Sequence, residues 1–190
     1  LVLALIRSVA GPDVPVYTLA SAMPGYCELR QTQATARAMN VEDLRVIDVG
    51  PTDFVEALPD AVAAAEVPLF NLHPVSKLLL ARALAADGIE VVVTGDAADQ
   101  VFGTADARNY LPIIGALFRS AGVELRTPFA DEAVAAAAES AGRDSDKTVL
   151  RQLAGALVPA ACRDRPKRPT YAPPMDLSPY ERPERTRRLA

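Results

Sequence analysis

Two hydrophobic periodicities take turns along the chain. Short β-branched runs recur at "VPVYTLA" (residues 14–20), "LRVIDV" (44–49) and "IEVVVT" (89–94), each bounded by glycine, proline or acidic residues. That spacing predicts buried strands. Between them, apolar positions repeat every three to four residues over 1–10, 27–39, 53–65 and 74–86, which predicts helices. Asn40 and Gly88 are suited to close two of these. Asp53-x-x-Glu56 resembles a capping box, and Pro59 is expected to bend or restart that helix. The resulting order, α-β-α-β-α-α-β, predicts an α/β fold with a parallel, doubly wound, Rossmann-like sheet. Downstream, residues 108–121, 130–141 and 146–157 are rich in Ala and Leu and predict a helical C-terminal part. The expected organisation is an α/β part at 1–104, a helical part at 105–174 and a solvated tail at 175–190.

The helix at 1–10 has no strand before it, although a doubly wound sheet returns each helix from one strand to the next. The pattern therefore predicts a first strand upstream of Leu1, near the centre of the sheet.

Composition narrows the chemistry. The 190 residues are half hydrophobic and carry a formal charge of −4, which excludes a disordered chain and argues against a nucleic-acid partner. No apolar run approaches the ~20 residues of a membrane span. "LVLALI" is broken by Arg7 without a preceding basic region, so it is not read as a secretion signal. Cys27 and Cys162 are isolated and are expected to be free thiols in a reducing, cytoplasmic setting. With His73 as the single histidine, a His-based triad or metal cluster has nothing to draw on.

Four segments carry candidate chemistry. In "TGDAADQVFG" (94–103) a strand runs into a turn bearing Asp96 and Asp99, at the strand end where open α/β sheets bind ligands. It lacks the G-x-x-x-x-G-K-[ST] pattern. Carboxylates there repel bare phosphate but suit a Mg²⁺ held between acid and phosphate oxygens. The plainer alternative makes Asp96 an N-cap and Asp99 an ordinary first-turn residue. "VELRTPFAD" (123–131) reads by itself as a surface loop with a Glu124–Arg126 pair, leading into a helix near Asp131. "DKTVLRQLAGALVP" (146–159) predicts a helix beginning at Ser145 or Asp146, with Val149, Leu150, Leu153 and Leu157 as its buried stripe. Its Lys147 and Arg151 share a face, and Lys147 is one of three lysines, with Lys77 and Lys167, among 20 basic residues. "RDRPKRPTYAPP" (163–174) reads as a proline-stiffened loop.

Taken in order, these segments resemble the synthetase domain of the asparagine synthetase family, which also includes β-lactam synthetases and lasso-peptide cyclases. The family's S-G-E-G-x-D-E-L-F-G-G is met by Thr94 to Gly103, its L-E-x-R-x-P-F-L-D by Val123 to Asp131, and its K-x-x-L-R by Lys147 to Arg151. Its later L-P…R-P-K is met by Leu157-Val158-Pro159 and Arg165-Pro166-Lys167. The resemblance spans about residues 1–174. It implies an adenine nucleotide α-hydrolase-like sheet and an ATP-dependent, AMP-forming synthetase that adenylates a substrate carboxylate before an amine attacks. ATP and Mg²⁺ are the implied cofactors, and small carboxylates and amines the implied substrates. By position, Asp99 resembles the metal-binding acid, Thr94 and Gly95 the backbone ledge beside the nucleotide, and Leu19 an adenine-side contact. Lys147 resembles the lysine that stabilises charge on phosphate and acyl oxygens. Asp96 stands at a catalytic position that is Glu in asparagine synthetases and aromatic in β-lactam synthetases.

Several departures qualify the resemblance. The family's S-G-G-x-D-S pyrophosphate loop would lie just before Leu1, so residues 1–190 alone are not expected to be active. A glutaminase domain or subunit as ammonia source is likewise not in this stretch. Gln100 replaces an acid, Ala97 replaces a Gly, and the segment between Gly103 and Glu124 is short, which weakens asparagine as the product. Beside the ligase reading stand a non-catalytic, degenerate synthetase-like scaffold or partner subunit, and another pyrophosphatase-class enzyme such as a tRNA thiolase. The acidic balance and the lack of zinc-type cysteines disfavour the last.

Overall fold

The computed structural model describes residues 1–23, 26–69, 71–103 and 110–164. Their order is α1 (Val2–Ala10), β1 (Val16–Ser21), α2 (Leu29–Ala38), β2 (Leu44–Val49), α3 (Pro51–Ala65), α4 (His73–Ala86), β3 (Val91–Val93), α5 (Ala98–Phe102), α6 (Leu111–Ser120), β4 (Glu124–Arg126), a 3-10 turn (Pro128–Ala130), α7 (Glu132–Ala141), α8 (Thr148–Leu153) and α9 (Ala160–Arg163). All three expected strands and the helices before residue 104 form, with ends shifted by a few residues, but β3 is not buried: Val91 and Val93 are exposed and only Val92 turns inward.

Local chemistry accounts for the boundaries. Asn40 adopts the left-handed conformation (φ 51°) just past α2, as its short polar side chain permits. Pro51 opens α3, and the Asp53 carboxylate accepts the Gly50 amide at 2.7 Å, so Asp53 caps from inside the first turn instead of standing at the N-cap of an Asp53-x-x-Glu56 box. The helix then runs through Pro59 to Ala65 without restarting. Phe54, Ala57 and Ala61 form its buried stripe.

Helix α4 organises the interior. Its Val75 and Leu78 join Met23, Val49, Phe54 and Leu117 in one apolar cluster, while Ala81 and Leu84 join Ile114, Phe118 and Val123 in a second. Both strand pairs border these clusters: Leu19 and Ile47 pack on the first, Tyr17, Val92 and Leu125 on the second.

The expected parallel pairing forms, in two separate pairs. Among the described residues β1 pairs in parallel with β2, from Val16–Leu44 to Ser21–Val49, and β3 pairs in parallel with β4, from Val91–Glu124 to Val93–Arg126. No ladder joins the two pairs. The segment read as a loop at 124–126 is thus a strand. Its pattern of charged, apolar, charged residues solvates Glu124 and Arg126, which pair with each other, and turns Leu125 inward.

The C-terminal expectation needs the larger correction. Helix α8 ends at Leu153 instead of continuing to residue 157, because a turn through Gly155 leads to Pro159. Val149 and Leu150 are half-buried, but Leu153 is 62% exposed and Leu157 45% exposed, so the predicted stripe is not buried as a unit. The Arg165-Pro166-Lys167 motif and the 175–190 tail lie outside the described residues.

Leu84→Ala should lower the unfolding free energy by about 2–5 kcal/mol, since it empties a fully enclosed site. Leu153→Ala should change it by no more than about 0.5 kcal/mol. Urea unfolding of the two variants checks both, and equal losses would contradict the burial pattern.

Candidate functional site

The site is built at the carboxyl end of β3. The ladder continues one step beyond the strand, where the Thr94 amide donates to the Arg126 carbonyl at 2.9 Å. Of the expected ledge, the Thr94 N–H is therefore engaged within the sheet. Gly95 is different: a Cβ placed there would meet only Phe129 Cε2, at an ordinary 3.9 Å. Among the described residues, packing does not require glycine at 95.

Asp96 follows. It does not cap α5. Ala97 takes the N-cap place, in the left-handed region (φ 76°), and Asp96 turns back toward α4. Lys77 Nζ donates to both its oxygens, at 3.1 and 2.9 Å, and the Thr94 hydroxyl donates to Oδ2 at 2.8 Å. The side chains of this pair are only 15% and 20% exposed. Burial alone would raise the Asp96 carboxyl, but the Lys77 charge, its hydrogen bonds, the Thr94 hydroxyl and nearby His73 outweigh it and hold the carboxyl below its ordinary value. His73 is pushed down by loss of surrounding water around its ring and by Lys77, with Asp96 opposing, even though the residue as a whole opens to solvent.

Asp99 lies in the first turn of α5, and Lys147 Nζ donates to its Oδ1 at 2.8 Å across 48 residues of sequence. Asp99 is the more open partner, 46% exposed against 21% for Lys147. Three features bring the lysine there. Gly103 follows α5 so closely that a Cβ would fall 2.3 Å from the Asp99 carbonyl oxygen, so only glycine fits. Arg143 donates from Nε to the Gly103 carbonyl at 3.0 Å and from its terminal nitrogen to the Gln100 carbonyl, while the Asp144 amide donates to the Phe102 carbonyl. The Asp144 carboxylate then accepts the amides of Asp146 and Thr148 and the Thr148 hydroxyl, and α8 begins at Thr148 instead of Ser145 or Asp146, with Lys147 in the N-cap place. Lys147 itself is left-handed, at φ 53°. A non-glycine residue in that region costs energy that the surrounding contacts must supply.

Phe129 packs edge-on against Phe102, with ring centroids 5.8 Å apart, and anchors α5 from the other side. Arg151, expected to share a cationic face with Lys147, donates instead to the Asp146 and Arg163 carbonyls. Leu19 lies on β1, half-buried against the first apolar cluster, which is the setting of a packing residue. The structure thus gathers Thr94, Gly95, Asp96, Asp99 and Lys147 at one strand end and leaves Leu19 on the other strand pair. Lys77 was missed by sequence reasoning. Its signal was a lone lysine inside the apolar run "PVSKLLLARALAA".

Among the described residues, no three His, Cys, Asp or Glu side chains gather as a metal centre. Mg²⁺ is commonly held by one or two carboxylates together with phosphate oxygens and water. A half-exposed Asp99 fits an ion that arrives on a nucleotide, and does not fit a resident ion caged by protein.

This geometry meets a family match. A profile of the family described as asparagine synthase matches residues 1–119 and 115–188. The chain belongs to the asparagine synthase family. At the level of the family, its members are ATP-dependent amide-forming synthetases of the ligase type. Two curated relatives are similar over a shorter stretch: Amidase chyE of Penicillium rubens and Amidase chry2 of Gibberella zeae. Each is 35% identical over 65 residues, 34% of this chain and 10% of the relative. The matched part thus spans about a tenth of the relatives' length. No helix among the described residues is long and apolar enough to cross a membrane. Cys27 and Cys162 are free, as expected.

Two outcomes follow from the strained and charged positions. Ala97→Gly should stabilise the fold by about 0.5–1 kcal/mol, because alanine strains at φ 76° where glycine does not. Lower stability in denaturant would contradict that backbone. The Asp96 carboxyl titrates lower folded than unfolded, so its contribution is present above the ordinary carboxyl pKa of about 4 and is lost as pH falls through the folded value. The stability gap between the native chain and Asp96→Asn should shrink on acidification through that window. A gap that widens there would contradict the pairing.

Proposed function

We propose that this chain carries part of the nucleotide and acyl site of an AMP-forming synthetase that adenylates a substrate carboxylate and passes the acyl group to an amine. The observation that supports it best is the 2.8 Å contact between Lys147 and Asp99 at the carboxyl end of β3. A carboxylate suited to metal-bound phosphate and a cation suited to phosphate and acyl oxygens stand side by side, as that reaction needs.

Asp99 is assigned to hold Mg²⁺ delivered with ATP, and the ion when bound supplies charge neutralisation on the phosphates. Gly95 leaves room for the nucleotide beside the strand end. Lys147 is assigned to exchange its Asp99 partner for the negative charge that grows on the phosphate and acyl oxygens. Such a cation needs little reorganisation, because its backbone is already fixed by Arg143 and Asp144. Leu19 retains its assignment as an adenine-side contact only if nucleotide reaches across to β1. The reaction consumes ATP and a carboxylate, releases pyrophosphate, and then releases AMP as the amine forms the amide. The carboxylate and amine are small molecules, and the ammonia or amine source can be a glutaminase partner. The chain is assigned to the cytoplasm, where ATP and Mg²⁺ are abundant.

In the intact native polypeptide, carboxylate-dependent exchange of pyrophosphate into ATP should collapse in Asp99→Asn. Lys147→Ala should slow amide formation by about 10²–10³-fold, the usual loss for one charge-stabilising donor. If neither the native protein nor the variants catalyse exchange with any carboxylate, the degenerate scaffold reading, to which Gln100 at the usual acid position lends support, replaces this one.

A further inference from the structure

We propose that Lys77 is a specificity-determining residue: by engaging both oxygens of Asp96, it denies the acceptor amine a proton-accepting carboxylate and restricts the site to nucleophiles that arrive uncharged.

The argument begins with placement. Lys77 stands on α4 between the buried residues Ser76 and Leu78, so its backbone is fixed by the apolar interior. Its Nζ spans the two Asp96 oxygens at 3.1 and 2.9 Å, and the Thr94 hydroxyl adds a third donor at 2.8 Å. Among the described residues, the charged or titratable groups facing Asp96 are Lys77 and His73 from α4, with the Thr94 hydroxyl at the strand end. The Asp99–Lys147 pair stands apart, one step along the turn. Asp96 therefore offers no carboxylate oxygen without a donor, and its ionised form is the favoured one.

The chemistry makes this consequential, and here the inference rests on the proposed function. When an amine attacks an acyl adenylate, the N–C bond forms, the C–O bond to AMP breaks, and one proton leaves nitrogen. A nearby carboxylate could accept that proton or first deprotonate an incoming ammonium. A carboxylate held by an ammonium and a hydroxyl is a poor acceptor for either. The nucleophile must then enter as free amine, and the proton departs to solvent or with AMP. Ammonium ions meet a neutral Lys–Asp pair instead of a lone anion, so they gain little by entering.

The test uses the intact native polypeptide, MgATP, and a panel of the standard amino acids and succinate as carboxylate probes. No exchange with any of them overturns the proposed function, and this inference with it. Where exchange occurs, amide formation is compared for hydroxylamine, mostly free base near neutral pH, and methylamine, mostly ammonium. The native protein should favour hydroxylamine in proportion to the neutral fraction. Lys77→Met should shrink that preference in kcat/KM by at least about tenfold, as Asp96 becomes a working base. Lys77→Arg, which keeps the cation, should restore it. An unchanged ratio in Lys77→Met overturns the inference while leaving the synthetase reading intact. Independently of activity, the Asp96 carboxyl followed by carbon NMR should titrate higher in Lys77→Met, or in Lys77→Gln should Met fail to fold. An unmoved midpoint also overturns it.

Discussion

Two carboxylates within one turn of a strand end repel each other and lose water as the fold closes, and they persist only if cations meet them at short range. Here each acid has its own lysine: Lys77 for Asp96 and Lys147 for Asp99. The lysines come from opposite directions in sequence, one before β3 and one well after it. In the enclosed Lys77–Asp96 pair, removing one member leaves an uncompensated charge, which is costlier than never having had the pair.

The supports are of different kinds. Lys77 rides on a helix whose neighbours on both sides are buried in two apolar clusters, so its position follows from core packing. Lys147 rides on a turn, and its position follows from backbone hydrogen bonds: Arg143 and Asp144 tie the turn to the carbonyls that end α5, and Gly103 permits the approach. The core-held pair is the more enclosed and the turn-held pair the more open. That division suits one fixed charge and one that can change partners when phosphate arrives.

How much of this could be read from sequence depended on range. Strands β1, β2 and β3 were legible because β-branched runs between turn residues have few other solutions. The turn at 94–99 was legible because two acids follow a β-branched run, although Val91 and Val93 of that run are exposed instead of buried, and the order of four motifs singled out Lys147. Strand β4 was not legible, since three residues with one inward leucine carry almost no periodic signal. The stripe through Leu153 and Leu157 was misleading: helical spacing continued past Leu153, but Gly155 and Pro159 ended the helix and left both leucines outward. Lys77 was hidden because its partner lies 19 residues away and meets it only after α4 packs. Of the expected parallel sheet, the described residues form two parallel pairs bordering the clusters around α4, the arrangement expected of strands whose central neighbour was placed upstream of Leu1.

The account depends most directly on Asp99 and Lys147 interacting. A double-mutant cycle with Asp99→Asn, Lys147→Met and the combined variant, read by urea unfolding, measures that interaction. The account predicts non-additivity of about 0.5 kcal/mol or more, with the double variant less damaged than the two losses summed. Strict additivity would mean that the two side chains do not meet, and would contradict it.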